Sequence, residues 1–442
     1  MHAATKFSRR QFLRRGAGAA AIAGLAAPYV IPSGVLAWEG RPGPNDKIGI
    51  GGIGVGRQAT GLVNSAHGNA EARIVAIADV NLPRAEQHAK RLAAEPYQDY
   101  RKLLERKDID AIITGTPDHW RSLVSIHACQ AGKDVYAEKP MTLTIHEGRL
   151  MVQAVRKYGR IFQTGSQQRS QKENRFGCEL IRNGRLGKIE LVIGSNYPSP
   201  WECALPAQPV PQGLDWNMWC GPNDLVDYHI DLYTPRANPG WISFRPYSGG
   251  EMTGWGAHGL DQIQWALGMD ESGPVEVWTE GEKFAPPTYT APESRDRGEK
   301  MCSQPMIFYR YANGITVKLD NGNPGGAIFV GEKGKIEIFR GRVTSNPKEL
   351  AEEPIKDDEI HLYKSDNHMQ NWLDCIKSRE KPVADVEIGH RSATVCHLGN
   401  IARWLGRRLQ WDPVKEQFIG DEEANRLLDR PRRKPFELPS EV

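Results

Sequence analysis

Residues 47–59 read KIGIGGIGVGRQA, and this stretch decides the expected fold. A short apolar run leads into a glycine-rich turn, and a run compatible with a helix follows. In a strand–turn–helix of this kind, glycines let the backbone approach a pyrophosphate, and the helix N-terminus offers it free N–H groups. Two frames of the G-x-G-x-x-G/A pattern overlap here, namely Gly49-x-Gly51-x-x-Gly54 and Gly54-x-Gly56-x-x-Ala59. The pattern alone therefore leaves the position of the phosphate turn open.

The acid after the next apolar run selects between the two frames. Residues 72–78 read ARIVAIA, and Asp79 follows them. An acid at the end of the second strand, about 20 residues after the glycines, binds the adenosine ribose and repels a 2′-phosphate. Gly54 lies 25 residues before Asp79, whereas the Gly49 frame leaves no room for a strand after the linker 39–46. The nucleotide is therefore expected to be NAD rather than NADP. The predicted phosphate turn and helix start comprise Gly54, Val55, Gly56, Arg57 and Gln58.

The chain then alternates between short apolar runs and longer helical stretches up to about residue 165. This alternation predicts an α/β fold with a doubly wound parallel sheet. Further along, residues 197–247 are rich in Pro, Trp and Gly and predict long loops, while turn signals divide the apolar runs of 306–339. These signals predict a second, α+β domain with a mostly antiparallel sheet. The predicted boundaries are 1–37, 46–165, 166–411 and 412–442.

The first of these segments resembles an export signal. Residues 8–14 read SRRQFLR, and the small apolar run 16–37 follows. A twin arginine before such a run predicts twin-arginine (Tat) export to the periplasm or medium. This machinery carries folded proteins, which agrees with a tightly bound nucleotide. Because this run holds too few consecutive strongly apolar residues, no stable membrane anchor is expected.

Charge and cysteines narrow the remaining classes. The formal net charge is +3, but segment 1–37 holds five basic residues and no acidic one, which leaves 52 basic against 54 acidic residues. A near-neutral chain gives no reason to expect nucleic acid as a partner. The seven cysteines form no C-x-x-C pair, so neither a metal site nor a disulfide framework is predicted. The tail carries the basic run 430–434, for which we expect a solvated arm or a subunit contact.

The tripeptide Glu138-Lys139-Pro140 follows directly on the predicted strand 133–137. Ligands of open α/β sheets bind beyond the carboxyl ends of the strands. A lysine at this place orients a substrate hydroxyl and stabilises developing alkoxide charge. We therefore predict that Lys139 is catalytic.

Together with the glycine turn and Asp79, the motifs Thr116-Pro117-Asp118-His119 and Glu138-Lys139-Pro140 resemble the Gfo/Idh/MocA oxidoreductases. The resemblance covers nearly the whole chain beyond the N-terminal segment, and the export signal is similar to that of the secreted bacterial branch. It implies NAD(P)-dependent oxidation or reduction of a secondary alcohol on a sugar or cyclitol. It also implies a Rossmann domain beside a substrate and oligomerisation domain, in a homodimer or homotetramer. The implied nucleotide contacts are the five turn residues named above with Asp79, Asn81, Arg84, Thr116, Pro117, His119, Glu138 and Lys139.

The family's second catalytic element is an Asp-x-x-x-His pair after Gly-Gly. His258 fits the histidine and can take a hydroxyl proton near neutral pH, but Gly254 stands in place of the aspartate. Asp261, one helical turn further on, or Glu251 is expected to replace it. The resemblance implies substrate contacts at Gln168, Arg169, Trp255 and His258. One or two loop aromatics are also expected to face a sugar. The candidates are Trp216, Trp219, Tyr228, His229, Trp241 and Trp255.

Three functions stay open at this point. The first is a periplasmic NAD-dependent dehydrogenase or reductase acting on a sugar or polyol. The second is a glycoside lyase or hydrolase that works through a transient keto-sugar and recycles its NAD, since an exported protein has no free NAD pool. The third is a nucleotide-containing binding protein without catalysis, which the missing aspartate at Gly254 keeps open.

Overall fold

A computed structural model describes residues 47–235, 240–290, 302–439 and 442. The predicted export signal lies outside the described residues. Within these ranges, no helix combines the length and apolar composition needed to cross a membrane. All elements named below belong to the compact unit Ile48–Val442.

A six-stranded parallel sheet forms the first part of the fold, in the order β3-β2-β1-β4-β5-β6. Its strand order reverses between β1 and β4, where open α/β sheets form their ligand crevice. The doubly wound parallel sheet predicted from the sequence is confirmed. The strands are β1 Ile48–Ile53, β2 Ala72–Ala78, β3 Glu95–Tyr97, β4 Ala111–Thr114, β5 Asp134–Ala137 and β6 Phe162–Thr164. The helices between them are α1 Arg57–His67, α2 Leu82–Leu92, α3 Tyr100–Leu104, α4 Asp118–Gln130 and α5 Ile145–Lys157.

The glycines of β1 serve close packing against both layers of helices. A Cβ on Gly52 would lie 3.1 Å from Val63 of α1, and a Cβ on Gly51 would lie 2.6 Å from Leu103 of α3. Larger side chains would push these helices off the sheet. The early glycines of the motif therefore belong to the strand, and the phosphate turn begins after them.

A nine-stranded sheet forms the second part, in the order β13-β12-β11-β7-β10-β9-β8-β14-β15. All its pairings are antiparallel except β7 with β10, which agrees with the mostly antiparallel sheet predicted. Three helices, α6 Lys172–Arg182, α10 Gly256–Leu267 and α13 Val386–Leu405, share a core of buried apolar residues with this sheet. The strands are β7 Ile189–Ser195, β8 Glu276–Glu280, β9 Met306–Arg310, β10 Thr316–Asp320, β11 Gly326–Gly331, β12 Gly334–Phe339, β13 Arg342–Asn346, β14 Leu409–Asp412 and β15 Gln417–Phe418. The α-helices of this part are α6 Lys172–Arg182, α7 Trp216–Cys220, α8 Ile230–Tyr233, α9 Glu251–Gly254, α10 Gly256–Leu267, α11 Glu349–Glu352, α12 His368–Ser378, α13 Val386–Leu405 and α14 Glu422–Asn425.

Packing does not follow chain order. Helix α12 lies inside the predicted second domain, yet Met369 and Trp372 pack in the core of the first sheet. The ring of Trp372 meets that of Tyr136 on β5, with centroids 5.6 Å apart. Helix α12 therefore belongs to the core of the first sheet, although it follows the strands of the second sheet in the chain.

The basic tail is held against the protein, so the predicted solvated arm is wrong. Arg432 donates to the buried carboxylate of Glu147 at 3.0 Å, and Arg433 donates to the carbonyl of Asn217 at 3.0 Å. The ring of Phe436 packs edge-on against Trp120, with centroids 5.3 Å apart. The physical reason is that the buried Glu147 needs cationic partners, which the tail supplies.

Candidate active site

A cavity of about 700 Å³ lies at the carboxyl ends of β1, β2, β4 and β5. One wall comes from the parallel sheet, and the other comes from described residues of the segments 218–235 and 241–254 in the second part of the chain. Most of the predicted nucleotide-binding residues line it, namely Gly54, Val55, Gly56, Arg57, Gln58, Asp79, Arg84, Thr116, Pro117, Glu138 and Lys139. These predicted residues are up to 85 positions apart in the sequence, from Gly54 to Lys139.

The two glycines of the turn are needed for different reasons. Gly54 has φ +71° and donates its N–H to the carbonyl of Ala78 at 2.8 Å, and a Cβ here would lie 2.7 Å from Thr116. Gly56 lines the cavity, and a Cβ here would meet no protein atom within 4 Å. Gly56 also begins α1 without a side-chain cap, so the first N–H groups of that helix are left for a ligand. These features fit a dinucleotide pyrophosphate.

Asp79 defines the other end of this cavity. Its carboxylate accepts from the N–H of Asn81 at 2.9 Å and pairs with Arg84 at 3.4 Å. Arg84 in turn donates to the hydroxyl of Tyr233 at 2.7 Å. Burial raises the pKa of Asp79 although Arg84 opposes this. Hydrogen bonds from a ribose diol would favour the ionised form, so the site is suited to an unsubstituted ribose.

Two of the predicted nucleotide contacts, Asn81 and His119, make hydrogen bonds within the protein instead. The side chain of Asn81 caps α2 by accepting from the N–H of Arg84 at 3.1 Å, and it also donates to Tyr233. His119 is fully buried, with Nε2 at 2.9 Å from the carbonyl of Trp219, and burial lowers its pKa to about 3. Neither residue is among the described lining of the cavity. The structure therefore corrects both predicted roles: each side chain makes a hydrogen bond to the second part of the chain, and so connects the two walls of the cavity.

At the end of β5, Lys139 points across the cavity to the second part of the chain. Its Nζ donates to the carbonyl of Gly254 at 3.1 Å. The preceding residue, Glu138, is buried and accepts from Gln58 at 3.2 Å and from Gln167 at 2.8 Å. The position where the family pattern has an aspartate therefore supplies a backbone carbonyl, which places Lys139 one helical turn from His258.

Arg121 organises this end of the cavity, and sequence reasoning missed it. Its guanidinium donates to the carbonyls of Thr116 and Pro140, and it pairs with Asp118 at 3.1 Å. The other oxygen of Asp118 accepts from Ser248 at 2.7 Å. Arg121 thereby ties the loops after β4 and β5 together beneath Lys139. The only available signal was the spacing of Asp118 and Arg121, which suits an ion pair on one helix face.

Asp261 is committed to Arg169, which corrects two predicted roles. The carboxylate of Asp261 accepts from Nε of Arg169 at 2.9 Å and from Ser392 at 2.7 Å. Arg169 also pairs with Asp270 at 2.7 Å and is only 1% exposed. A guanidinium buried this deeply requires carboxylates around it. Asp261 is therefore not placed as the helper of His258, and Arg169 is not placed to bind substrate, which leaves Glu251 as the expected helper.

The remaining predicted substrate contacts lie next to the cavity rather than in its described lining. Trp255 follows Gly254 and is half-buried, and its ring centroid lies 6.0 Å from that of His258. Gln168 is buried and donates to the carbonyl of Gly325 at 2.7 Å.

The loop aromatics form mostly a small core of their own. Trp216 and Trp219 stack with centroids 4.4 Å apart, and Tyr228 meets Trp216 edge-on. His229 caps α8 by accepting from the N–H of Asp231 at 3.1 Å. Of the predicted aromatics, Trp219 and Trp241 reach the cavity. Among the described residues, no cluster of three or more His, Cys, Asp or Glu side chains could hold a metal ion.

Comparison with solved structures supports the fold. The dehydrogenase WlbA of Bordetella pertussis superimposes with a TM-score of 0.58 at 18% identity, over 83% of this chain and 99% of that one. The aldose–aldose oxidoreductase of Caulobacter crescentus gives a TM-score of 0.57 at 18% identity, over 82% and 99%. At such identities the likeness shows a common fold.

Sequence comparison adds relatives and two family matches. The scyllo-inositol 2-dehydrogenase (NAD(+)) of Bacillus subtilis is 33% identical over 142 residues, which is 32% of this chain and 40% of that protein. The myo-inositol 2-dehydrogenase of Thermotoga maritima is 29% identical over 153 residues, or 34% and 46%. The chain thus spans less than half the length of these relatives. Residues 47–166 match the NAD-binding Rossmann fold of the oxidoreductase family, and residues 188–438 match its C-terminal alpha/beta domain. The chain therefore belongs to the Gfo/Idh/MocA oxidoreductase family.

Proposed function

We propose that this protein is an NAD-dependent oxidoreductase that acts on a secondary alcohol or ketone of a sugar or cyclitol. The observation that carries the proposal is the position of Lys139, whose ammonium reaches Gly254 at 3.1 Å across a cavity built on the glycine turn and Asp79. The family match and the inositol dehydrogenases among the relatives support this substrate class.

Gly56, the start of α1 and Asp79 would hold the nucleotide, which when bound supplies an acceptor or donor of hydride. Asp79 is buried next to Arg84, and the guanidinium of Arg84 is already engaged by Asp79 and Tyr233. The Asp79 carboxylate would repel a 2′-phosphate, and the guanidinium that could neutralise that phosphate already has partners, which favours NAD. Substituting Asp79→Ser is expected to narrow the preference for NAD over NADP, as measured by the two dissociation constants.

Lys139 and His258 handle the hydroxyl proton in this proposal. The ammonium of Lys139 orients the substrate oxygen and stabilises its negative charge as the C–H bond breaks. The imidazole of His258 takes the proton, with Glu251 as the carboxylate that favours the protonated ring. Gly254 and His258 are separated by one turn, so the contact between Lys139 and Gly254 keeps both groups at one end of the cavity.

The nucleotide is expected to stay bound during turnover and export. Described residues of the segments 213–235 and 240–242 line the cavity and contact the chain next to Asp79. Leu82 donates to the carbonyl of Gly213 at 2.9 Å, and Asp215 donates to that of Val80 at 2.9 Å. Such a cover hinders dissociation of the ligand beneath it, which suits a protein carried folded through the Tat pathway to the periplasm. We also propose that the protein forms a homo-oligomer.

The same enclosure favours a second candidate, a glycoside lyase or hydrolase. In such an enzyme a sugar carbon would be oxidised to a ketone, which acidifies the C–H group of the neighbouring carbon. Loss of that proton would expel the glycosidic oxygen, and in a hydrolase water would add to the resulting double bond before the ketone is reduced again. A bound nucleotide would supply both the oxidant and the reductant. Such a redox-neutral cycle needs no exchange of NAD.

The test is to incubate purified full-length protein with NAD, polyols and glycosides, and to follow NADH and released sugar. Stoichiometric NADH from a polyol, or reduction of a second sugar, supports the oxidoreductase. Sugar release without net NADH supports the second candidate. A protein that binds no dinucleotide would contradict both.

A further inference from the structure

Arg340 occupies a strained turn between β12 and β13. Its φ is +34°, and among the described residues only Ala93, Arg379 and Glu416 share a left-handed φ without being glycine. An L-residue keeps such a backbone only where its surroundings impose it, and these outliers cluster at ligand sites. Gly341 follows, and its N–H donates to Asn174, which holds the turn in place.

The guanidinium of Arg340 is exposed and is presented on an aromatic ring. Its Cζ lies 4.9 Å from the ring centroid of Trp255. Within the described ranges, no carboxylate lies within ion-pair distance of it. By contrast, Arg149 and Arg169 each pair with two carboxylates. Arg340 is thus a positioned cation with an open face.

This cation lies beside the proposed reaction centre. Trp255 directly follows Gly254, which accepts from Lys139, and its ring centroid lies 6.0 Å from that of His258. The stem of Arg340 and the amide of Gln168 flank the same glycine, Gly325, where a Cβ would lie 3.5 Å from Cδ and 3.0 Å from Oε1. That amide oxygen is buried without a hydrogen-bond partner among the described residues. A sugar held at His258 would therefore extend along Trp255 toward Arg340.

We infer that Arg340 is a specificity-determining residue that selects sugars carrying an anionic group, and that the substrate class is a sugar acid. The inference rests on the proposed function. A guanidinium fork matches a carboxylate with two parallel hydrogen bonds, and the indole beneath it packs against C–H groups of a sugar ring. A neutral polyol would leave the guanidinium solvated and gain nothing from it.

The experiment compares ligands that differ in one group, on NAD-loaded full-length protein. Binding of glucuronate, gluconate, glucose and glucose 6-phosphate is measured by tryptophan fluorescence, and turnover is followed separately by NADH. The variants are Arg340→Gln and Arg340→Gly, since glycine accepts the backbone conformation. Arg342→Gln is the matched control, because Arg342 lies in the same hairpin and packs on Phe339.

We expect wild-type protein to bind a sugar acid more tightly than glucose. Both Arg340 variants should weaken binding of the acid by about 10- to 100-fold and leave glucose unchanged, while the control stays close to wild type. Equal affinities for acid and glucose, or equal losses in Arg340→Gln and Arg342→Gln, would overturn the inference. If glucose 6-phosphate bound more tightly than either acid, the group recognised by Arg340 would be a phosphate, and the assignment of a sugar acid as substrate would be overturned. Acid-selective binding without hydride transfer to NAD would overturn the proposed function and leave the binding site standing.

Discussion

Alanine substitution should lower the stability of the protein at Gly54 and its affinity for the nucleotide at Gly56. At Gly54, an alanine Cβ would lie 2.7 Å from Cγ2 of Thr116 and 3.0 Å from its backbone, and φ is +71°. At Gly56, an alanine Cβ would meet no protein atom within 4 Å, and φ is −66°. The first change therefore strains the protein, whereas the second only fills cavity space.

The magnitudes follow from these distances. A left-handed L-residue costs about 1–2 kcal/mol, and overpacking against Thr116 adds about 1–3 kcal/mol, so Gly54→Ala should lower the free energy of unfolding by about 2–5 kcal/mol. Gly56→Ala should change it by less than about 0.5 kcal/mol. The methyl group at Gly56 occupies space needed by the pyrophosphate, so the dissociation constant of NAD should rise at least about tenfold, or 1.4 kcal/mol.

Urea unfolding of nucleotide-free protein and calorimetric titration with NAD measure the two quantities separately. Gly61→Ala is the control, because a Cβ there also meets nothing within 4 Å but lies within α1, away from the cavity lining. The reasoning is refuted if Gly56→Ala binds NAD as wild type does, or if it destabilises the protein as much as Gly54→Ala.

Three further predictions concern catalysis, the buried ion pair and pH. Lys139→Ala should lower kcat by about 10²- to 10⁴-fold with NAD still bound, as steady-state kinetics and nucleotide content will show. Asp261→Asn or Arg169→Met should cost about 3–5 kcal/mol in urea unfolding, because each leaves a buried charge without its partner. Burial lowers the pKa of His368 and of His397 to about 4. The unfolded chain therefore binds protons first, so stability should be complete above pH about 6.5 and decline as pH falls to about 4.

Each of these has a control and a contradicting result. Lys157→Ala removes an exposed lysine at the end of α5 and should leave kcat unchanged; a similar kcat in both lysine variants would remove Lys139 from the mechanism. The double variant Arg169→Met with Asp261→Asn should cost less than the two single changes summed, and strict additivity would show that the pair is not coupled. An unfolding free energy that is the same at pH 7 and pH 5 would contradict the linkage argument.

Local sequence was sufficient to predict the parallel sheet, the frame of the glycine turn and the places of Asp79 and Lys139 after their strands. Each depends on local order along the chain: an apolar run of strand length, a turn that only glycine can make, and a polar residue at the strand's last position. In a parallel sheet these carboxyl ends share one edge, so local order is sufficient to bring such residues together.

The contacts between distant side chains, by contrast, depend on how the elements pack in three dimensions. Asp261 and His119 have the residue types of active-site groups, but Asp261 pairs with Arg169 and His119 is buried against Trp219. The contact of Arg340 with Trp255 and the hydrogen bonds of the basic tail likewise could not be predicted from the sequence. A helix or strand pattern states which face is apolar but not which element covers it, and the partner of a buried charge depends on that element. The position of Lys139 at the edge of the parallel sheet follows from chain order, whereas the second wall of the cavity and the contact of Arg340 with Trp255 depend on long-range packing.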